Sequence, residues 1–379
     1  MERPVRSLVQ GSSLVIEPRP IHLGLTCAVH RARDQRSRRL LLKVVLPDAE
    51  RESLRREHRL LTRVQSDRCV RSLGLTAWDG RLALALEDRG DRSGFDLVRE
   101  GLPAVAQALR VGADVATALA AVHRAGLAHC DVTPGNVVID QAGRACLVDF
   151  GLAVPVPEGR DSLEVAGRAV IRGTLAYLSP EQSRRTLDPI DGRSDLYGLG
   201  ATLYHLLTGR PPFDDDEPLS LLAAHLTRVP EDVRRFRPEV PAEVAAVVAR
   251  LLAKAPGDRY QRAETVAADL ERCERALAAG RSIPDFRPGA EDLGLRPDYP
   301  RRLHGRDDER ATLAGLVERV SEGGHAAAMV AGFSGVGKSR LVEAIVPNLT
   351  ARGFRLGRGK FDQLREGSAL DAIGGAIEP

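Results

Sequence analysis

Residues 129–151 read HCDVTPGNVVIDQAGRACLVDFG, and no other stretch restricts the possible folds of this chain so strongly. It places Asp131, Asn136 and Asp149 at the ends of two short loops joined by an apolar hairpin, VVID…ACLVD. Two carboxylates and an amide supply hard oxygen ligands and one proton acceptor. A set of that kind suits a site built to hold Mg²⁺ and a nucleoside triphosphate.

The chain has 379 residues, which is long enough for two or three domains with proper cores. Hydrophobic content of 43% and charged content of 28% describe an ordinary globular protein. No apolar run is expected to reach the roughly 20 residues needed to cross a bilayer, so no membrane role is expected. The N-terminus lacks the basic start and apolar core of a signal peptide. Five scattered cysteines without a CxxC pair indicate neither a disulfide frame nor a zinc site, and a reducing cytoplasm is the expected setting. The net charge of +3 arises from cations and anions mixed along the chain, which gives no reason to invoke nucleic acid. The densest basic stretch, RARDQRSRR at 31–39, reads as a solvated loop.

Among the 55 cations only Lys43, Lys254, Lys338 and Lys360 are lysines. A lysine is a compact point charge that fits between phosphate oxygens, so each one merits inspection. Lys43 and Lys338 stand in phosphate-binding contexts, whereas Lys254 and Lys360 read as surface residues.

From about 12 to 88 the chain carries short apolar runs, SLVIEP, CAVHRA, RLLLKVVL, VRSLGL and RLALALED, which read as strands of a small sheet. A helix interrupts them at RESLRREHRLLTRVQ, with Leu54, Leu60, Leu61 and Val64 on one face. Beyond about 103 the pattern is helical, and SDLYGLGATLYHLLTG stops at Gly209 before Pro211-Pro212. Two more helices are expected within 241–254 and 262–280. The polar segment 282–302 carries four prolines and reads as a linker.

The order of these features resembles the protein kinases over residues 12–275. HCD…N and DFG are similar to the catalytic loop and metal-binding segment of that family. The resemblance implies an α+β bilobed fold, with a small β-rich N-lobe and a helical C-lobe, over residues 1–280. It also implies ATP and Mg²⁺ as cofactors and protein Ser/Thr hydroxyls as acceptors. By the same resemblance Lys43 would pair the phosphates and Glu57 would fix Lys43. Asp131 would accept the proton of the attacking hydroxyl, and Asn136 and Asp149 would hold Mg²⁺. Gly24 and Val29 would cover the nucleotide, and Leu86, Glu87 and Asp88 would form the hinge that binds adenine through its backbone. Glu181 is expected to pair with Arg259, and Asp195 to support the catalytic loop. Thr174 matches a threonine of Ser/Thr kinases.

Three features depart from the family pattern. The glycine-rich loop HLGLTCAV keeps only Gly24, with His22 and Cys27 at the other glycine positions. Thr133 replaces a lysine that faces the γ-phosphate, a loss on the order of 2–4 kcal/mol of transition-state stabilisation. Cys130 replaces an arginine that clamps a phosphorylated activation loop, so activity is expected not to depend on phosphorylation of Ser162 or Thr174.

A second phosphate site is written at 332–339. GFSGVGKS satisfies G-x-x-x-x-G-K-[ST], and the spacing predicts a strand at AAAMVA before it and a helix after it. Gly332, Gly335 and Gly337 would let backbone amides cradle phosphates, Lys338 would reach them and Ser339 would ligate Mg²⁺. With LHGRDDERATLAGLVERV ahead of it, the region resembles the start of an AAA-type P-loop ATPase, with residues 281–303 as linker and 304–379 as its front part. No second Mg²⁺ element follows, which leads to the expectation of further C-terminal signalling domains missing from this chain. The favoured reading is a bacterial-type Ser/Thr kinase joined to an ATPase module. The alternatives are a pseudokinase that regulates that ATPase, and a P-loop protein with the kinase lobes as accessory.

Overall fold

The computed structural model describes residues 5–6, 13–23, 27–46, 51–156, 175–183, 186, 188–281, 286–292, 306–332, 338–343, 345, 349, 352 and 354. The chain divides into two units, Met1–Arg296 and Pro297–Pro379.

In the first unit the apolar runs form antiparallel strands β1 (Val5–Arg6), β2 (Ser13–Ile16), β3 (His22–Leu23), β4 (Cys27–Arg33), β5 (Arg39–Val45), β6 (Ser72–Trp78) and β7 (Arg81–Glu87). Their order is β1-β2-β4-β5-β7-β6, with β3 beside β4. Alternating burial along β4 marks a sheet with one covered face. The register sets Lys43 between Val29 on β4 and Leu84 on β7. Helix α1 (Arg51–Leu61) buries Leu54, Glu57, Leu60 and Leu61, so its apolar face carries one acid into the interior. The 31–39 stretch is the end of one strand, a turn and the start of the next. It is not simply a solvated loop, because Arg31 and Arg39 reach Asp91 at 2.8 Å and Arg39 reaches Asp88 at 2.8 Å.

After β8 (Arg92–Ser93) come α2 (Gly94–Arg99) and α3 (Val105–Arg124), then β9 (Leu127–Ala128), β10 (Val137–Ile139), β11 (Ala145–Leu147) and β12 (Val154–Pro155). Helices α4 (Gly192–Thr208), α5 (Pro218–Thr227), α6 (Ala242–Leu251) and α7 (Ala263–Ala278) complete the helical lobe. Helix α3 corrects the sequence reading of apolar length. It is 20 residues long and, among the described residues, the one helix apolar enough to cross a membrane, yet most of it lies buried among the other helices. Leu109, Leu119, Leu199, Leu203 and Leu270 are fully closed to solvent there, and burying each such side chain contributes about 1.5–3 kcal/mol. Gly209 ends α4 in the left-handed conformation at φ 79°, which a residue without Cβ adopts at no steric cost.

The expected linker does not run free of the lobe throughout. Of its described residues, Phe286 packs on the helical core, and Gly289 donates to Asp269 Oδ2 at 2.7 Å. Asp292 accepts the amides of Gln261 (2.5 Å) and Arg262 (3.2 Å). Asp292 thereby ties the connector to the two residues that lead into α7 (Ala263–Ala278).

In the second unit α8 (Asp307–Ser321) begins with Asp307, Asp308 and Glu309, which suit the positive end of a helix dipole. The strand expected at AAAMVA is not formed: residues 324–332 have no regular structure and Met329 is 91% exposed. A parallel strand needs neighbours to pair with and layers to cover it, and no strand is present among the described residues of this unit. A short helix, α9 (Lys338–Glu343), does open at the motif lysine.

Candidate active site

Lys43 points from the middle of β5 at two carboxylates. Its Nζ lies 3.0 Å from Glu57 Oε2 on α1 and 2.8 Å from Asp149 Oδ1. Burial would lower the Lys43 pKa, but the charges of Glu57 and Asp149 outweigh it and raise it above the usual lysine range. Burial would likewise raise Asp149, but Lys43 holds its carboxyl down at about 2. Glu57 is pushed upward, chiefly by its burial. Lys43 and Asp149 are therefore charged at neutral pH, a buried cation set against an anion at the mouth of the cleft.

The catalytic-loop residues sit between β9 and β10. Asn136 Nδ2 donates to Asp131 Oδ2 at 2.7 Å and to its carbonyl at 2.9 Å, which fixes the acid and leaves the Asn136 amide oxygen for other ligands. His129 is a packing residue. Its ring meets Phe150 edge-on at 4.7 Å, Nε2 donates to the Val148 carbonyl at 3.2 Å, and Nδ1 accepts the Asp131 amide at 3.3 Å. Both Cys130 and Asp149 are left-handed, at φ 65° and 60°, which costs a non-glycine residue on the order of 1–3 kcal/mol. Asp195, wholly buried on α4, offsets this by accepting the amides of His129 (2.8 Å) and Cys130 (2.7 Å). Gly198 lets α4 approach so closely, since a Cβ there would meet Val132 at 3.1 Å.

Three supports of this loop were not found in the sequence. His123 Nε2 lies 2.8 Å from Asp195, Gln182 donates to the Cys130 carbonyl at 2.8 Å, and Thr202 donates to the Val132 carbonyl at 3.1 Å. A lone His, Gln or Thr carries no local signal, because each acts on a partner at least 50 residues away in the chain. The expected pair of Glu181 and Arg259 is present as a two-pronged contact at 2.7 and 2.8 Å between almost fully buried groups.

At the hinge, the Glu87 amide donates to the Arg71 carbonyl at 3.0 Å and the Asp88 carboxylate is held by Arg39. Glu87 thus offers no free amide to a base. Gly24, Ser162, Thr174, Gly335 and Gly337 lie outside the described residues, as does Lys360. Val29 is half-buried opposite Lys43. In the second unit Lys338 donates to the Gly332 carbonyl at 2.7 Å, and Ser339 is placed in α9 by its backbone.

Of the departures, Thr133 is buried and brings no charge to the loop. Burial raises the Cys130 thiol well above its ordinary pKa, so it stays protonated and adds none either. Lys254 is not a plain surface residue. Its ammonium stands 4.5 Å from the Phe213 ring centre and donates to the His225 carbonyl at 2.9 Å.

A seven-stranded antiparallel sheet carrying a Lys–Glu pair, over a helical lobe that presents an acid, an amide and a second acid on two loops, defines a bilobed phosphotransferase fold. The comparisons agree. Residues 23–270, more than half of the chain, match the family model of the protein kinase domain, and the chain belongs to that family. Residues 302–379 match the AAA ATPase domain. Among curated relatives, a probable serine/threonine-protein kinase of Corynebacterium efficiens is 40% identical over 48% of this chain. The serine/threonine-protein kinase PknB of Mycobacterium leprae is 40% identical over 44%. The DNA damage-responsive serine/threonine-protein kinase RqkA of Deinococcus radiodurans is 35% identical over 74%. This chain spans 27%, 26% and 42% of those three proteins.

Proposed function

We propose that the first unit binds ATP with Mg²⁺ between its two lobes and transfers the γ-phosphoryl group to Ser or Thr hydroxyls of protein substrates. The observation that carries this is Lys43 held at 3.0 Å from Glu57 and 2.8 Å from Asp149, with Asp131 fixed by Asn136. In the reaction the acceptor oxygen bonds to the γ-phosphorus, the bond to the β–γ bridging oxygen breaks, ADP leaves and the hydroxyl proton passes to Asp131. Asp149, ionised at neutral pH, and the Asn136 amide oxygen are the right donors for a hard cation. Mg²⁺ bound there would neutralise phosphate charge. Lys43, held by Glu57 at 3.0 Å, would meet the α- and β-phosphates. Val29 would line the nucleotide cleft, and the Gly24 loop would cover it.

The domains of this reading are a kinase over 1–280, a linker over 281–303 and an ATPase front part over 304–379, in which Gly332, Gly335, Gly337, Lys338 and Ser339 form a second nucleotide site. The reading includes a cytoplasmic setting, which rests on the odd number and scattered spacing of the five cysteines. Thr133 favours a second reading, in which the lobes bind ATP but transfer slowly or not at all and regulate the attached module. Phosphoamino-acid analysis of protein incubated with γ-labelled ATP decides between them. Label on Ser or Thr that is absent from Asp131→Asn supports transfer. ATP binding without any label supports the regulatory reading.

A further inference from the structure

Among the described Phe, Tyr and Trp side chains Phe95 is the most exposed, at 38%. It does not stand on a remote surface. Its ring lies against Gly135 of the catalytic loop, where a Cβ would meet Phe95 Cε2 at 3.2 Å and Thr133 Oγ1 at 3.6 Å. Its other side meets two more rings edge-on, Tyr177 at 6.2 Å and His205 at 5.5 Å between centroids. Tyr177 OH and His205 Nδ1 are 2.8 Å apart, which ties these two rings to each other. Asp131, Thr133 and Tyr177 line one small cavity, so the trio meets the catalytic loop at two points, through Tyr177 there and through Phe95 against Gly135.

The platform is without charge of its own. Gly135 and Thr133 bring none, and burial keeps His205 below its ordinary pKa and hence neutral at pH 7. The carboxylate next to Phe95, Asp96, is closed by Ser93 at 2.6 Å and by Arg99. The acid whose field reaches Tyr177 and His205 is Asp214, which is exposed and therefore screened by solvent. A cation in the acceptor peptide would lose hydration here for a cation–π attraction of about 0.5–1 kcal/mol and a screened acid, whereas an apolar side chain would gain about 1.5–3 kcal/mol from full burial.

We propose that Phe95, with Tyr177 and His205, is the specificity platform of the acceptor side and takes an apolar or aromatic residue flanking the phosphorylated Ser or Thr. This rests on Asp131 being the acceptor-side acid of a protein kinase. Contact with a substrate side chain makes Phe95 a determinant of KM, not of the chemical step.

The test is a peptide array in which one Leu, Phe, Arg or Asp is walked through the positions flanking a single Ser. It is read in two ways with the full chain: transfer from labelled ATP by the unaltered protein, and binding of the same peptides by Asp131→Asn. At one flanking position, Leu or Phe should give about tenfold higher kcat/KM than Arg or Asp, the scale of discrimination by one buried apolar group. Phe95→Ala should remove that preference through KM with kcat unchanged, and Phe95→Leu should retain most of it. Preference for Arg, or an apolar preference that survives Phe95→Ala, overturns the proposal. If binding shows the Phe95-dependent preference while no peptide is phosphorylated, the transfer reading fails and the platform stands. If peptides are phosphorylated and neither readout shows the preference, the platform fails alone.

Discussion

The Asp195 carboxylate accepts the Cys130 amide at 2.7 Å, and Cys130 is held left-handed at φ 65°. The residue before Asp131 thus has a conformation that its own side chain disfavours, maintained by a buried acid. Asp195→Asn keeps the shape but turns one acceptor into a donor facing an N–H. Stability should fall by about 1–3 kcal/mol, the usual cost of an unsatisfied buried polar group. The kcat for phosphoryl transfer should fall on the order of 100-fold through misplacement of Asp131, with KM for ATP little changed. Denaturant melts and steady-state kinetics check both.

Arg259 and Glu181 meet at 2.7 and 2.8 Å with almost no solvent exposure. Arg259→Met leaves the buried Glu181 carboxylate without its cation and with only Ser194 Oγ, at 2.7 Å, donating to it, and should cost about 3–5 kcal/mol. The double variant Glu181→Leu/Arg259→Met should cost less than Arg259→Met alone, because no orphan charge is left behind. Urea denaturation of the three proteins measures the difference.

Lys254 gives a pH signature. Its burial, followed by the charge of Arg259, lowers its pKa from 10.5 to about 8. The folded chain therefore binds this proton more weakly than the unfolded chain, and losing it favours folding. As pH rises from about 8 to 10.5, the unaltered protein should gain stability relative to Lys254→Met. A parallel pH dependence of the two proteins, followed by chemical denaturation, would contradict this.

Asp292 holds the segment leading into α7 through the amides of Gln261 and Arg262, two and three residues beyond Arg259. Asp292→Ala in the full chain should lower stability by about 1–3 kcal/mol, the scale for losing hydrogen bonds to a charged acceptor. Hydrogen exchange should rise at Gln261 and Arg262 first.

Much of this was legible in the sequence because the chemistry dictates residue types. Lys43, Glu57, Asp131, Asn136 and Asp149 follow one another in the chain, each beside an apolar run that fixes its element, and the structure brings Lys43, Glu57 and Asp149 within 3.0 Å contacts. What was not legible depends on contacts between distant residues of common types. Arg31 and Arg39 read as solvated until Asp88 and Asp91 came across from the hinge. Lys254 read as exposed until Phe213 and Tyr197 closed over it. The proline-bearing connector read as a plain linker because the pairing of Asp292 with a helix start some 30 residues earlier leaves no periodic trace. AAAMVA had the composition of a strand, but a strand also needs neighbours.

The central claim, that Asp131 serves phosphoryl transfer in the first unit, is tested most directly by incorporation of label from γ-labelled ATP into Ser and Thr. Three forms of the full chain are compared: unaltered, Asp131→Asn and Lys338→Ala. Label should appear in the unaltered protein, vanish in Asp131→Asn and persist in Lys338→Ala. Label that survives Asp131→Asn, or that disappears with Lys338→Ala while the first unit remains folded, would contradict the claim.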